Sequence, residues 1–171
     1  MRGTYTLLLE IKRPANFTFG KLGRARVKKG YCLYTGSALG RGAVSLEGRL
    51  KRHSRSSKRP KWHVDCLTSH PGCTVKAAIC LRSRKRLECV ISRAISEMLD
   101  TRPILPHIGA SDCKCDGHLI TIGSLINADK ILVQVKTAYS RFGSALLVWA
   151  AAESKSVDLH PIFSEKHLGK F

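Results

Sequence analysis

Hydrophobic positions divide the chain into short apolar runs separated by glycine, proline and basic clusters, and each run's periodicity predicts an element. Thr4 to Ile11 is aliphatic and β-prone, bounded by Gly3 and Pro14, and predicts a largely buried first strand. Ala15 to Gly23 predicts a short strand and a turn, and Lys28-Lys29-Gly30 a turn before the aromatic strand Tyr31 to Thr35. The glycines of Gly36 to Gly42 predict a loop, followed by a short helix over Ala43 to Arg52. Trp62, Val64, Cys66 and Leu67 read as the start of a strand, and Val75 to Leu81 as another, with Pro71-Gly72 turning between them.

Leu87 to Leu99 places apolar residues at Leu87, Val90, Ile91, Ala94, Ile95, Met98 and Leu99, the spacing of an amphipathic helix. Pro103 and Pro106 close it, and His118 to Ile122 predicts an edge strand. Farther on, Lys130 to Val135 suits a strand and Ala138 to Ala152 a helix. These elements give an α+β (α/β sandwich-like) domain, a small mixed central β-sheet flanked by helices over residues 1–122. Residues 123–171 form an extension of unassigned role, packed on the same domain or separate from it. Ala145 to Ala152 is its expected partner contact.

Charge narrows the function. The 171-residue chain has 30 Lys and Arg against 12 Asp and Glu, a formal charge of +18. A field of one sign this dense attracts polyanions, and a nucleic acid is the simplest partner. The basic residues concentrate in Arg49 to Lys61 (RLKRHSRSSKRPK) and Arg82 to Arg86 (RSRKR), beside the segments that carry candidate chemistry, where phosphate contacts would position a substrate. Few aromatics interleave them, which favours recognition of backbone and shape over base stacking. Met1 runs straight into the first strand without the order of a secretory signal, so an intracellular, cytoplasmic location is expected. The apolar run Ala145 to Ala152 is too short to cross a bilayer, and no membrane partner is expected. Seven Cys without an export signal point to reduced thiols or a metal site.

The candidate chemistry lies in a few clusters. Tyr5 and Tyr34 sit on the first and the aromatic strand, Arg49 and His53 are one helical turn apart, and Glu88 is the only acid between Asp65 and Glu97. A carboxylate at Glu88 suits a hard cation such as Mg²⁺ or Mn²⁺, or a helix N-terminus. If Trp62 to Leu67 is a strand, His63 and Asp65 share a face, as a His-Asp pair or a structural brace. Cys113, Cys115 and His118 are tightly spaced, and Cys66, Cys73 or Asp112 would complete a zinc tetrahedron. Their spacing is not that of a common zinc finger, so zinc stands behind Mg²⁺ or Mn²⁺.

Gly3-Thr4-Tyr5 and Tyr34-Thr35-Gly36-Ser37 resemble the GIY and YIG elements of the GIY-YIG nuclease superfamily. The loop Gly36 to Gly40, Trp62-His63-Val64-Asp65 and the Ser-Asp-Cys-x-Cys-x-x-His element from Ser111 to His118 resemble one of its less-characterised branches. Both central Ile positions are Thr here. About 28 residues separate the two tyrosines, wider than in compact members, which suggests an inserted hairpin and leaves Tyr31 as a rival to Tyr5. The resemblance implies a metal-dependent endonuclease hydrolysing phosphodiester bonds, in DNA ahead of RNA. Tyr5 or Tyr34 would activate water with a pKa brought well below its usual 10 by cations, Arg49 would stabilise the transition state, His53 would relay a proton or bind phosphate, and Glu88 would hold the cation. His63, Asp65, Ser111 and Asp112 are supporting candidates. Ser37, Arg41, Lys51, Arg52, Arg55, Lys58, Arg59 and Lys61 are candidates for nucleic-acid contact. The alternatives are a noncatalytic DNA- or RNA-binding module and a zinc-stabilised RNA-binding protein.

Overall fold

The computed structural model describes residues 1–149. Its strands are β1 (Gly3–Ile11), β2 (Ala15–Thr18), β3 (Arg24–Val27), β4 (Gly30–Ala38), β5 (Cys73–Arg82), β6 (Leu119–Gly123) and β7 (Leu146–Trp149). The helices are α1 (Leu46–Ser54), α2 (Asp65–Thr68), α3 (Glu88–Met98) and α4 (Ala128–Ser140). Five strands form one sheet in the order β6-β4-β1-β5-β7. The α+β class is the expected one, but every pairing in the sheet is antiparallel rather than mixed. Successive residues of a strand face opposite sides, so the sheet buries two apolar surfaces.

On one face Tyr5, Leu7 and Leu9 of β1 and Cys32 and Tyr34 of β4 pack against Leu46 and Leu50 of α1 and Leu67 of α2. On the other, Leu8, Leu33, Ile79 and Ile120 pack against Ile91 and Ile95 of α3 and Ile131, Leu132 and Val135 of α4. β2 and β3 pair only with each other, a hairpin inserted between β1 and β4 that accounts for the wide spacing of the tyrosines. It leaves the main register intact: Tyr5 lies opposite Gly36, whereas Tyr31 packs against the second core, on the far face. Tyr5, not Tyr31, therefore faces Tyr34.

Three expected elements are different. Trp62 to Leu67 is a turn leading into α2, because Asp65 Oδ2 accepts from the backbone N–H groups of Lys61 and Trp62 at 2.8 and 3.0 Å and curls the chain where alternation suggested a strand. Lys130 to Val135 is helical: Asn127 caps the Lys130 N–H, and Ile131, Leu132, Val135, Ala138 and Tyr139 are buried at helical spacing. Ala138 to Ala152 is not one helix, since α4 ends at Ser140 and β7 pairs with β5. The last residues of that stretch, and so the end of the Ala145 to Ala152 contact, lie outside the described residues.

α4 also crosses the boundary expected after residue 122, since its buried face completes the second core. Behind the sheet the Thr6 hydroxyl hydrogen-bonds the hydroxyls of Thr35 and Tyr139, each at 2.9 Å. Thr4 Oγ1 is buried without a partner among the described residues, and nothing in the structure explains that threonine. No helix among the described residues is long and apolar enough to cross a membrane.

Candidate active site

One end of the sheet gathers the polar side chains. Tyr5 and Tyr34 come from adjacent strands with ring centroids 6.3 Å apart, and His53 on α1 reaches both, at 5.5 and 6.1 Å. Gly36 makes this approach possible: a Cβ there would lie 2.7 Å from the Tyr5 hydroxyl, so the glycine after Tyr34 and Thr35 is a steric requirement. Gly109 closes the other side at φ +73°, a left-handed conformation, where a Cβ would meet the Tyr34 ring at 2.9 Å.

α1 carries His53 on its buried stripe with Leu46 and Leu50, at helical spacing. The imidazole is 1% exposed and its Nε2 lies 2.8 Å from the Tyr5 hydroxyl. Burial, reinforced by the Lys58 ammonium, pushes its pKa from the usual 6.5 down to about 3. His53 is thus neutral at physiological pH, with Nε2 accepting from the Tyr5 O–H. Its Nδ1 is buried without a partner among the described residues.

The tyrosine expectation fails in sign. Burial pushes Tyr5 well above its usual 10, and Tyr34 to about 12, with the Arg49 guanidinium only partly opposing it. Desolvation of a phenolate outweighs one nearby cation. Tyr34 is 7% exposed and Tyr5 1%, so of the two hydroxyls Tyr34 stands nearer the surface.

The sequence motifs did not reveal the role of Trp62. Its ring carries the Arg49 guanidinium at 3.9 Å and the Arg52 guanidinium at 4.8 Å, and sits 5.8 Å from His53. Cation–π contact holds the Arg49 fork in place next to the tyrosines. Asp65 fixes Trp62 in turn: fully buried, it accepts from the Trp62 and Lys61 backbone and from Arg52 at 2.7 Å. Burial alone would raise its pKa, but these hydrogen bonds outweigh it and hold the carboxyl below the usual range. Asp65 is a brace and not the partner of His63, whose Nδ1 accepts from the Gly109 N–H at 3.2 Å.

Glu88 opens α3 on the same stripe as Ile91, Ser92 and Ile95, so its carboxylate is drawn into the protein and is only 3% exposed. Arg86 donates to Glu88 Oε1 at 2.9 Å and also binds Asp112, so the two carboxylates share one guanidinium. Glu88 Oε2 is buried without a protein partner among the described residues. The charges of Glu88 and Asp112 both bear on Tyr34, which ties this corner to the tyrosines. Ser111 is exposed beside Asp112.

The basic candidates separate into two groups. Arg41, Lys51, Arg55, Arg59 and Lys61 are exposed, and Ser37 is half-buried at the end of β4. Arg52 is committed to Asp65 and the Arg59 carbonyl. Lys58 donates to the carbonyls of Arg52, His53 and Arg55 at the end of α1, and burial pushes its pKa to about 8. A groove of ≈ 690 Å³ lined by Met1, Arg2, Arg41, Arg82, Ser83 and Arg84 joins the two basic runs.

Cys113, Cys115 and His118 do converge, and the fourth member of their cluster is Cys89 in the first turn of α3, not Cys66, Cys73 or Asp112. One ligand atom from each lies within 4.8 Å of the others. A thiol next to Glu88 was visible in the sequence, but no local spacing connects it to the distant Cys-x-Cys.

A family model described as "Domain of unknown function DUF123" matches residues 4–143. No curated protein and no solved structure matches the chain.

Proposed function

The chain belongs to that family, whose description names no activity, and we propose from the chemistry of the site that it is a GIY-YIG-type, metal-dependent endonuclease hydrolysing phosphodiester bonds in DNA. The observation that carries this reading is the convergence of Tyr5, Tyr34, Arg49, His53 and Glu88 from four elements, with Arg49 Nε, His53 Nδ1 and Glu88 Oε2 all buried and unpartnered among the described residues. Hydrogen-bonding groups left over in this way around tyrosines and a carboxylate are what a bound phosphodiester and cation would satisfy.

The residues fit a divalent cation. Glu88 keeps one carboxylate oxygen free of protein contacts, Asp112 stands across Arg86, and a single carboxylate supplemented by water and phosphate oxygens suits Mg²⁺ or Mn²⁺. When bound there, the cation supplies positive charge for the leaving oxygen. Arg49, held on the Trp62 ring, presents a permanently charged fork to the non-bridging oxygens without reorganising. Tyr34, the more exposed hydroxyl, orients the attacking water. The neutral His53 holds the Tyr5 hydroxyl and accepts a proton through it, its basicity rising as phosphate charge enters the site. The exposed Arg41, Lys51, Arg55, Arg59 and Lys61 and the basic groove hold the rest of the duplex through its backbone.

A second reading, a module that binds DNA or RNA without cutting it, is favoured by one observation: both tyrosines are pushed up, the wrong direction for a base. The deciding experiment incubates the protein with plasmid, branched and single-stranded DNA and RNA in Mg²⁺, Mn²⁺ or EDTA, beside Arg49→Ala, Glu88→Gln and Tyr34→Phe variants checked for melting. The expected result is metal-dependent cutting that falls about 100-fold or more in each variant while binding persists. Salt-sensitive binding without cutting, or equal cutting by the variants, establishes the second reading instead.

A further inference from the structure

We infer that Cys89, Cys113, Cys115 and His118 form a structural Zn²⁺ site that staples the 103–118 loop to the first turn of α3. The cluster brings three sulfurs and one imidazole nitrogen within 4.8 Å of one another. A tetrahedral zinc with Zn–S near 2.3 Å and Zn–N near 2.05 Å requires edges of about 3.8 Å between sulfurs and about 3.5 Å from sulfur to nitrogen. The Cys113 Sγ to His118 Nε2 edge is already 3.8 Å. Closing the rest is a side-chain adjustment of about 1 Å at most, with no change of backbone.

The surroundings are those of a built site. His118 is 2% exposed, and its ring is hydrogen-bonded to the Gly109 backbone while Nε2 is turned to the sulfurs, the outer contact that orients a ligating imidazole. Its backbone N–H donates to the Ile108 carbonyl at 2.7 Å, and its carbonyl accepts from the Thr35 N–H at 2.9 Å, so this ligand is anchored to β4. Ser92, one turn after Cys89, donates to the Gly117 carbonyl and sets that face of α3 against the loop. Three thiolates, one neutral imidazole and Zn²⁺ carry a net charge of about −1, which the neighbouring Arg93 and Lys114 offset. A soft, sulfur-rich set with no open position selects zinc over Mg²⁺ and gives it a structural role.

Two consequences separate this site from the proposed chemistry. The zinc is read without any nucleic acid, and it stands whether or not the chain cuts. Its effect on Glu88, which is next in sequence to Cys89, rests on the nuclease reading: loss of the staple would disorder the Arg86–Glu88–Asp112 corner and lower cutting without removing a group that touches substrate.

The test measures metal content of the full chain, purified without chelator, by plasma mass spectrometry, for wild type and for Cys89→Ser, Cys115→Ser and Cys66→Ser. About one zinc per chain is expected in wild type and in Cys66→Ser, with most of it lost in the other two. Cobalt exchange of the wild type should give the intense sulfur-to-metal charge-transfer absorption of thiolate ligation, a readout that does not depend on variants folding. A metal-free wild type without that cobalt spectrum, zinc retained in both Cys89→Ser and Cys115→Ser, or a disulfide among Cys89, Cys113 and Cys115 in the freshly purified protein overturns the inference.

Discussion

The buried His53 makes folding stability depend on pH in a way that one substitution isolates. Burial and the Lys58 charge hold its imidazole neutral, with a pKa of about 3 against 6.5 for an ordinary histidine. The unfolded chain therefore takes up a proton below 6.5 that the folded chain refuses. The stability contributed by neutral His53 is complete above 6.5 and is lost as pH falls from there toward about 3. Between about pH 7.5 and about pH 5.5 the loss is one full pH unit of proton binding, about 1.4 kcal/mol.

His53→Gln removes the ionisation while leaving an amide oxygen to accept from Tyr5. His118, also pushed down by burial, is present in both proteins and cancels, and Asp65, held below the usual carboxylate range, titrates beneath the window. Urea unfolding of both proteins at the two pH values should show wild type losing about 1.4 kcal/mol more than His53→Gln. Equal losses, or a greater loss in the variant, would refute a neutral buried His53 and with it the direction of the Tyr5 hydrogen bond.

Other expectations follow from the same geometry. Asp65→Asn replaces an ionised acceptor of three hydrogen bonds and leaves Arg52 without its counter-charge, so it should destabilise the fold by about 3 kcal/mol in urea unfolding. Gly36→Ala forces a methyl against the Tyr5 hydroxyl and should destabilise by about 1–3 kcal/mol, whereas Ser37→Ala, half-buried on the same strand, should fall well below that. Cutting by Arg49→Ala, Glu88→Gln and Tyr34→Phe, and the zinc content of Cys89→Ser and Cys115→Ser, are to be measured as set out above.

Much of this architecture is legible where local pattern and tertiary demand agree. The runs around Tyr5, Tyr34 and Ile79 are apolar on both sides because both faces of the sheet are covered, and α3 shows its stripe because one side of it is solvated. Legibility fails where one side chain overrides its neighbours. The alternation at Trp62 to Leu67 gives way to a turn because the Asp65 carboxylate satisfies two backbone donors, which no hydrophobic pattern encodes. In α4 the β-prone aliphatics hid a helix, although the Asn127 cap and the spacing of Ile131, Val135 and Ala138 were there to be read. The site divides along the same line. Tyr5, Arg49, His53 and Glu88 stand in ordered motifs, but the part played by Trp62, the membership of Cys89 and the sign of the tyrosine pKa shifts depend on long-range packing and burial.

The hydroxyl chain of Thr6, Thr35 and Tyr139 changes how the chain can be divided. Thr6 follows Tyr5 and Thr35 follows Tyr34, so each strand position that presents a ring to the site is succeeded by one fastened from behind to α4. A fragment ending at residue 122 would strip the cover from Leu8, Leu33 and Ile120 and leave two threonine hydroxyls sealed in an apolar layer with only each other. Residues 128–140 are in that sense the foundation of the tyrosine pair, and any excised or transplanted form of this domain has to carry them.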